Sequence, residues 1–313
     1  MELRVLRYYL AVVREQSISR AAESLRLTQP TLSRQLMELE EELGVKLLIR
    51  GRKNHSIALT EEGMLLKARA EEIVALADRT EAELTCHERE IAGDVYIGAG
   101  ETDAMRLLAQ AAKRLQDMYP HIRYHLFSGN AEDVSERLDK GLLDFGVLIG
   151  EADLSKYDYL PLGTVDVWGV LLRGDDPLAV EDSIRPKDLW SRPLILSQQS
   201  LRNNELSGWL GRSMERLNVA ATYNLIYNAA LLVEAGLGCA ITIEKLVNTS
   251  GRPLCFRPLE PRLEGRLNIV WKKRHVFSKA AEVFLREMKE QEYLFQVKRG
   301  TAKGAGYLNR SRI

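Results

Sequence analysis

Residues 17–44, SISRAAESLRLTQPTLSRQLMELEEELG, constrain the fold more than any other part of the chain. Ser17 and Ser19 are suitable N-caps for a short helix through Ala21, Ala22 and Leu25, and the adjacent alanines let a second helix cross closely. A turn over residues 25–28 follows. Thr28 caps a longer helix, Pro30 fits its first turn because the N–H that proline lacks has no partner there, and Gly44 supplies the stop. At about 100° per residue, Leu32, Leu36, Leu39 and Leu43 fall on one inward stripe, while Pro30, Ser33, Arg34 and Met37 face outward. On an isolated helix such an outer face is ordinarily a solvated surface and nothing more.

Residues 46–60, KLLIRGRKNHSIALT, alter that reading. They spell a short strand, a basic turn and a second short strand ending at Leu59, which is a wing attached to a helix-turn-helix. Arg50, Arg52 and Lys53 gather positive charge at its tip. A helix offering Gln29, Ser33 and Arg34 to base edges, beside a cationic hairpin aimed at phosphate, is the division of labour that duplex DNA binding requires. Global charge gives no help: 44 Lys and Arg balance 44 Asp and Glu, so binding must come from a local basic face. Residues 1–60 carry ten basic against seven acidic side chains, so placement matters more than surplus.

With 313 residues, 45% apolar and 28% charged, the chain has room for two or three domains with sizeable cores. The opening MELRVLRYYLAVV is not a basic leader followed by an unbroken apolar run, and no later stretch approaches the ~18 apolar residues of a membrane span. A cytoplasmic location without a membrane partner is expected. Cys86, Cys239 and Cys255 lie far apart without CxxC spacing, which fits a reducing compartment and neither a disulfide framework nor a zinc site. A redox pair of Cys239 and Cys255 is the alternative.

The residues of the first segment resemble those of the LysR-type transcriptional regulators. The likeness is carried by Ser17, SRAAESL at 19–25, TQPTLSRQLMELEEELG at 28–44, Arg50 after the first wing strand and LTEEG at 59–63. Leu48 stands where the family usually has phenylalanine, an exchange of one apolar wing residue for another. The resemblance implies a DNA-binding set of Ser17, Ser19, Thr28, Gln29, Pro30, Thr31, Ser33 and Arg34, joined by Arg50, Arg52 and Lys53 of the wing.

From Thr60 to about residue 90 the chain has no proline, only Gly63, and a helical run whose N-cap is Thr60, with Glu61 and Glu62 favoured by the helix dipole. Leu66, Ala70, Ile73, Ala77, Thr80 and Leu84 recur at spacings of four and three, the seam of a short coiled coil. A second copy of the chain is the expected cover, and packing on the chain's own downstream domain is the alternative. The resemblance implies dimers through this helix, commonly paired as dimers of dimers, reading half-sites about one helical turn apart.

Beyond residue 92 short apolar strands alternate with helices, which implies a parallel sheet flanked by helices. Strands are expected at residues 94–100, 122–130 and 142–150, and near residues 161–163 the chain passes to a second lobe with a helix over 205–217. A strand over 266–271 and a helix over 278–290 then return to the first lobe. GLLDFGVLI, DDPLA and VEAGLGCAI resemble the family's effector domain, which is similar to periplasmic binding proteins.

The fold expected is therefore an N-terminal winged helix-turn-helix (all-α plus a small β wing) over 1–59, a long linker helix over 60–90, and a C-terminal two-lobed α/β domain over 91–298. Lobe I takes about 91–162 and 267–298, and lobe II about 163–266. Residues 299–313, Gly-rich and basic without apolar periodicity, are expected to be a disordered tail. Ligands of open α/β sheets sit beyond the carboxyl ends of the strands, at helix N-termini. That rule selects Gly100, Glu101, Thr102, Ser128, Gly129, Asn130, Ile149 and Gly150 from one lobe, and Ser197, Gln198, Gln199, Tyr227 and Asn228 from the other. Thr102 is the first choice for a carboxylate ligand, which Glu101 complicates.

An enzyme is the main competing class, but there is no GxSxG, HExxH or GxxxxGK[ST], and GAGETD lacks GxGxxG spacing. His121 and His125 share a strand face without a third metal ligand. A constitutive DNA-binding protein whose large domain only dimerises is the other alternative. No cofactor is expected. The partners expected are double-stranded promoter DNA, a small-molecule effector, further copies of the chain, and RNA polymerase as a candidate.

Overall fold

The computed structural model describes residues 1–50, 57–85, 91–150, 155–202 and 204–298. The Arg50 side chain, Arg52, Lys53, Cys86 and residues 299–313 lie outside the described residues. The chain divides into two compact units, Met1–His87 and Glu88–Ile313.

In the first unit, α1 (Leu3–Glu15), α2 (Ile18–Ser24) and α3 (Gln29–Leu43) precede β1 (Leu48–Arg50), β2 (Ile57–Leu59) and α4 (Glu61–Thr85). Ser17 caps α2, its side chain accepting from Arg20 N, and Ser19 lies inside the helix. Thr28 caps α3 by accepting from Thr31 N, Pro30 sits in the first turn, and Gly44 ends the helix with φ 70°. Ala21 and Ala22 are buried, so their small side chains admit Leu32, Leu36 and Leu39 alongside Leu6, Tyr9 and Val12 of α1. The strands pair antiparallel, Leu48 opposite Leu59, and Ile57 N donates to Gln16 O at 3.2 Å, tying the wing base to the end of α1. Thr60 caps α4: Gly63 N donates to Thr60 Oγ1 at 2.9 Å. Gly63 is required by close approach, since a Cβ there would stand 2.2 Å from Leu47 O.

The second unit contains β3 (Gly93–Ala99), α5 (Met105–Met118), β4 (Ile122–Ser128), α6 (Ala131–Asp139), β5 (Phe145–Ile149) and β6 (Tyr157–Arg173). Then come α7 (Pro186–Leu189), β7 (Leu194–Ser197), α8 (Gln198–Arg202), α9 (Asn204–Leu210), β8 (Val219–Tyr223) and α10 (Ile226–Glu234). Last are β9 (Cys239–Ile243), β10 (Leu254–Pro258), β11 (Glu264–Lys272) and α11 (Lys279–Lys298). The strands run in the order β4-β3-β5-β11-β6-β9-β7-β8, with β10 also on β6. Pairing is parallel among β3, β4 and β5 and among β7, β8 and β9, whereas β6 and β11 are antiparallel to their neighbours.

The sheet is thus mixed rather than wholly parallel. Residues 161–163, the expected passage between lobes, lie within the strand β6, whose first half pairs with β11 and whose second half pairs with β9 and β10. Each lobe keeps its own core: Val95, Ile97, Leu108, Phe145, Ile269 and Phe284 in one, Val170, Leu194, Leu196, Leu210 and Ile241 in the other. The helix expected over 205–217 stops at Leu210, because Gly211 takes φ 63° and the chain turns. Conversely, α11 continues eight residues past 290. Its last turns are anchored by Glu292, which accepts from Gly163 N at 2.7 Å, and by Phe295, whose ring occupies the space a Cβ on Gly163 would need.

Tyr9 is fully buried and its hydroxyl donates to Gly63 O at 2.7 Å, fastening α1 to the start of α4. Burial, with the Glu40 charge adding to it, pushes its pKa up to about 12, so the donor proton stays in place. Tyr9→Phe removes this bond while Gly63 O keeps its place in the helical ladder of α4, and is expected to destabilise the first unit by about 0.5–1.5 kcal/mol, read as an earlier urea midpoint with unchanged slope.

Candidate nucleic-acid interface and ligand cleft

The start of α3 presents a compact outward surface. Thr28, Gln29, Pro30, Thr31 and Arg34 are exposed and Ser33 is half-buried, while Leu32, Leu36 and Leu39 on the opposite side are buried. The Thr28 and Thr31 hydroxyls are 2.8 Å apart. Arg34 Nε donates to Glu38 Oε1 at 3.0 Å and Gln35 Nε2 donates to Glu38 Oε2 at 2.7 Å. Both partners of the Arg34 pair are well exposed, so exchanging Glu38 for a DNA acceptor costs about 0.3–0.5 kcal/mol. Of the other residues chosen from sequence, Ser17 is half-buried and Ser19 exposed.

Leu43 departs from the expected inward stripe: it is 39% exposed, because the last turn of α3 extends beyond the cluster that buries the other three leucines. The inward place near that end belongs to Glu40, 7% exposed. Its Oε1 accepts from Leu47 N at 2.8 Å and from Leu48 N at 3.2 Å, and its Oε2 accepts from Lys46 Nζ at 3.0 Å. Burial alone would raise its pKa, but the donated bonds from Leu47, Lys46 and Leu48 outweigh that and hold it below the ordinary 4.5. One carboxylate therefore joins the recognition helix to the wing. Its spacing in the sequence matches a wet glutamate, so periodicity gives no signal for it.

On α4 the proposed seam divides. Leu66 and Ala70, with Val74, pack into the first unit's own core, and Ala70 is fully buried, so it is a core residue and not part of an open seam. Ala77 is half-buried, and Thr80 is exposed with its hydroxyl donating to Leu76 O at 2.8 Å. Ile73 (41% exposed) and Leu84 (80%) lie with Leu65 and Leu76 on an uncovered stripe. The helix turns one edge of the seam toward its own domain and leaves the other edge open.

Between the lobes of the second unit lies a cavity of about 570 Å³. Gly100, Glu101, Gly129, Asn130, Ile149 and Gly150 line it from one lobe, and Ser197, Gln198 and Gln199 from the other. Four chosen residues are elsewhere. Ser128 is exposed at the end of β4, off the cavity wall. Tyr227 and Asn228 are exposed in the first turn of α10, off the cavity wall; β8 ends at Tyr223, so Tyr223, Asn224 and Ile226 hold the positions the strand-end rule describes. Thr102 is buried behind the wall, its hydroxyl accepting from Ala104 N at 3.1 Å and bonding the Asp166 carboxylate.

Glu101 reaches across the cleft: its Oε2 accepts from Ile226 N at 2.5 Å, occupying the N-terminus of α10. Burial raises its pKa, and the bond from Ile226 offsets only part of that. Tyr223 donates to Ile241 O at 2.8 Å and burial pushes its pKa up to about 12, so it lines the cavity as a neutral phenol. Asp166, 3% exposed, is pushed up to about 6 chiefly by burial. Among the described residues its Oδ2 and the Nε1 of Trp168, two positions along the same face of β6, lack hydrogen-bond partners. Asp166, Trp168 and Thr242 escape a rule based on strand ends, since each lies within a strand.

Elsewhere, His125 Nε2 is 2.7 Å from Asp94 Oδ1 and its ring stacks on Tyr96, a polar partnership on a strand face. Burial raises the pKa of Cys239 to about 11 and raises that of Cys255, which keeps both as thiols. No described helix is long and apolar enough to cross a membrane.

Two family profiles match the chain. "Bacterial regulatory helix-turn-helix protein, lysR family" matches residues 3–64, and "LysR substrate binding domain" matches residues 88–292. The uncharacterized HTH-type transcriptional regulator YvbU of Bacillus subtilis (strain 168) is 26% identical over 294 residues, 93% of this chain and 98% of the relative. HTH-type transcriptional regulator BsdA of the same organism is 32% identical over 198 residues, 63% of this chain and 67% of the relative. Among solved structures, full-length CbnR complexed with its target DNA superposes with a TM-score of 0.71 at 20% identity, covering 93% of this chain and 99% of that one. HinK of Pseudomonas aeruginosa gives 0.53 at 26% identity, covering 93% and 98%.

A pH dependence follows from Glu40. Because its folded-state pKa is depressed, its contribution to stability is complete above the ordinary value of 4.5 and is lost as pH falls through the lower folded value. Glu40→Gln is expected to flatten the acid side of the first unit's stability profile and to destabilise it at neutral pH by about 1.5–3 kcal/mol, read by urea unfolding across pH 3–7.

Proposed function

The chain belongs to the LysR family of transcriptional regulators, a DNA-binding regulator rather than an enzyme, and from that premise we propose how its residues divide the work. Residues 1–59 dock on promoter DNA with α3 in the major groove, Gln29, Ser33 and Arg34 meeting base edges. Ser17, Ser19, Thr28, Pro30 and Thr31 lie against the backbone, and Arg50, Arg52 and Lys53 of the wing neutralise phosphate. The observation that carries this reading is the division of α3 into a buried leucine side and an exposed N-terminal face. That the CbnR structure holds target DNA on a chain of similar fold supports it.

Residues 60–90 join two copies through Leu65, Ile73, Leu76 and Leu84, an apolar stripe exposed among the described residues. Two recognition helices then face two half-sites about one helical turn apart, and dimers pair further into tetramers. Residues 91–298 take a small-molecule effector in the cleft between the lobes. The effector closes the lobes and shifts the population between assemblies that space the DNA-binding pairs differently, which requires only unequal affinity for the two states. Contact with RNA polymerase follows from a promoter-bound regulator, and the cytoplasm is its compartment.

On a duplex selected by this protein from a random pool, Arg34→Ala is expected to weaken binding by roughly 1–3 kcal/mol and to relax preference at one position per half-site. Fluorescence anisotropy checks it. Unchanged affinity and preference remove Arg34 from the reading face.

A further inference from the structure

The charges on the cleft wall say which chemistry it accepts. Among the described residues lining the cavity there is no Lys, Arg or His, while Glu101 and Glu132 are both carboxylates and the remaining polar groups are amides and hydroxyls. Helix N-termini would ordinarily make such a cleft attractive to anions, but the chain's own acids already serve them. Glu101 accepts from Ile226 N at the head of α10. At the head of α6, Asn130 accepts from Asp133 N and the first turn carries Glu132 and Asp133. Lys245 interacts electrostatically with Asp166, but its side chain is 60% exposed, pairs with Glu244 at 3.6 Å and does not line the cavity. An anionic effector would meet the Glu101 carboxylate on the wall, with no Lys, Arg or His among the described lining residues to balance it.

We propose that the effector is an organic cation, a small molecule carrying an ammonium or guanidinium group whose charge is balanced by Glu101 and whose body lies against Trp168 and Tyr223. This inference rests on the cleft being the effector site proposed above. The aromatic faces add favourable contact for a cation, and a cavity of about 570 Å³ is the size of small-ligand sites rather than macromolecular ones. The indole Nε1 of Trp168, without a partner among the described residues, supplies a donor for a neutral oxygen or carbonyl on the same ligand. A cation beside Glu101 also relieves the penalty of a half-buried carboxylate whose one hydrogen bond does not offset its burial.

Binding to the full-length protein of two matched fragment sets, followed by thermal shift and calorimetry, tests this. One set holds primary amines and guanidines, from phenethylamine to agmatine, and the other the corresponding carboxylates, from 3-phenylpropanoate to adipate. Amines and guanidines are expected to bind, Glu101→Gln to weaken them roughly tenfold or more through loss of a buried charge partner, and Gln198→Trp to block them by filling the cleft. Glutamine keeps an oxygen for Ile226 N, and melting of the ligand-free variants checks that each is folded. Carboxylates binding instead, with Gln198→Trp abolishing them, overturns the cation assignment and leaves the cleft reading standing. Binding indifferent to Gln198→Trp, or none from either set, overturns both.

Discussion

Burial of Leu32, Leu36 and Leu39 against Tyr9, Ala21 and Ala22 is the interaction on which the DNA-binding unit depends. Three leucines fully removed from water are worth roughly 1.5–3 kcal/mol each, which fixes the rotation of α3 about its axis far more firmly than any contact on its outer side. Gln29, Thr31 and Arg34 are outward as the geometric remainder of that packing. The exposed Arg34 pair with Glu38 is too weak to compete with it. The outward face of α3 is therefore set by packing within the unit, and the arginine on it is held only lightly.

A second theme is the use of buried acids as ligands for backbone N–H groups where elements meet. Glu40 gathers Leu47 and Leu48 at the wing, Glu101 takes Ile226 across the cleft, and Glu292 takes Gly163 where β6 passes between lobes. Asp144, fully buried, does the same for Tyr96. The Glu101, Glu292 and Asp144 bonds tie segments distant in sequence, whereas Glu40 bridges only the turn into the wing; bonds to an ionised acceptor are worth about 1.5–3 kcal/mol. At Glu101 the acid that caps α10 also lines the cavity between the lobes.

The helix-turn-helix was legible in the sequence because its signals are local. The caps Ser17 and Thr28, the stop at Gly44 and the leucine spacing each act within a few residues. Ser19 lies two residues past the cap that Ser17 supplies, and Leu43 lies beyond the buried leucine stripe, where only the neighbouring helices decide. On α4, periodicity marked an apolar seam but could not tell that Ala70 is claimed by the chain's own core. Of the residues the strand-end rule names, Gly100, Glu101, Gly129, Asn130, Ile149, Ser197 and Gln198 line the cavity. Tyr227 and Asn228 lie off its wall, because β8 ends at Tyr223, and so does Thr102, which is turned to Asp166. Trp168 was illegible as a lining residue, because it sits inside the long strand β6 rather than at a strand end.

Dimethyl sulfate probing of a specific duplex tests the orientation of α3 most directly, because the reagent reports guanine N7 in the major groove and adenine N3 in the minor groove separately. With Gln29, Ser33 and Arg34 in the major groove, the bound full-length protein should protect guanine N7 in two patches about one helical turn apart. Protection confined to adenine N3, or tight binding with every guanine N7 still reactive, would contradict it.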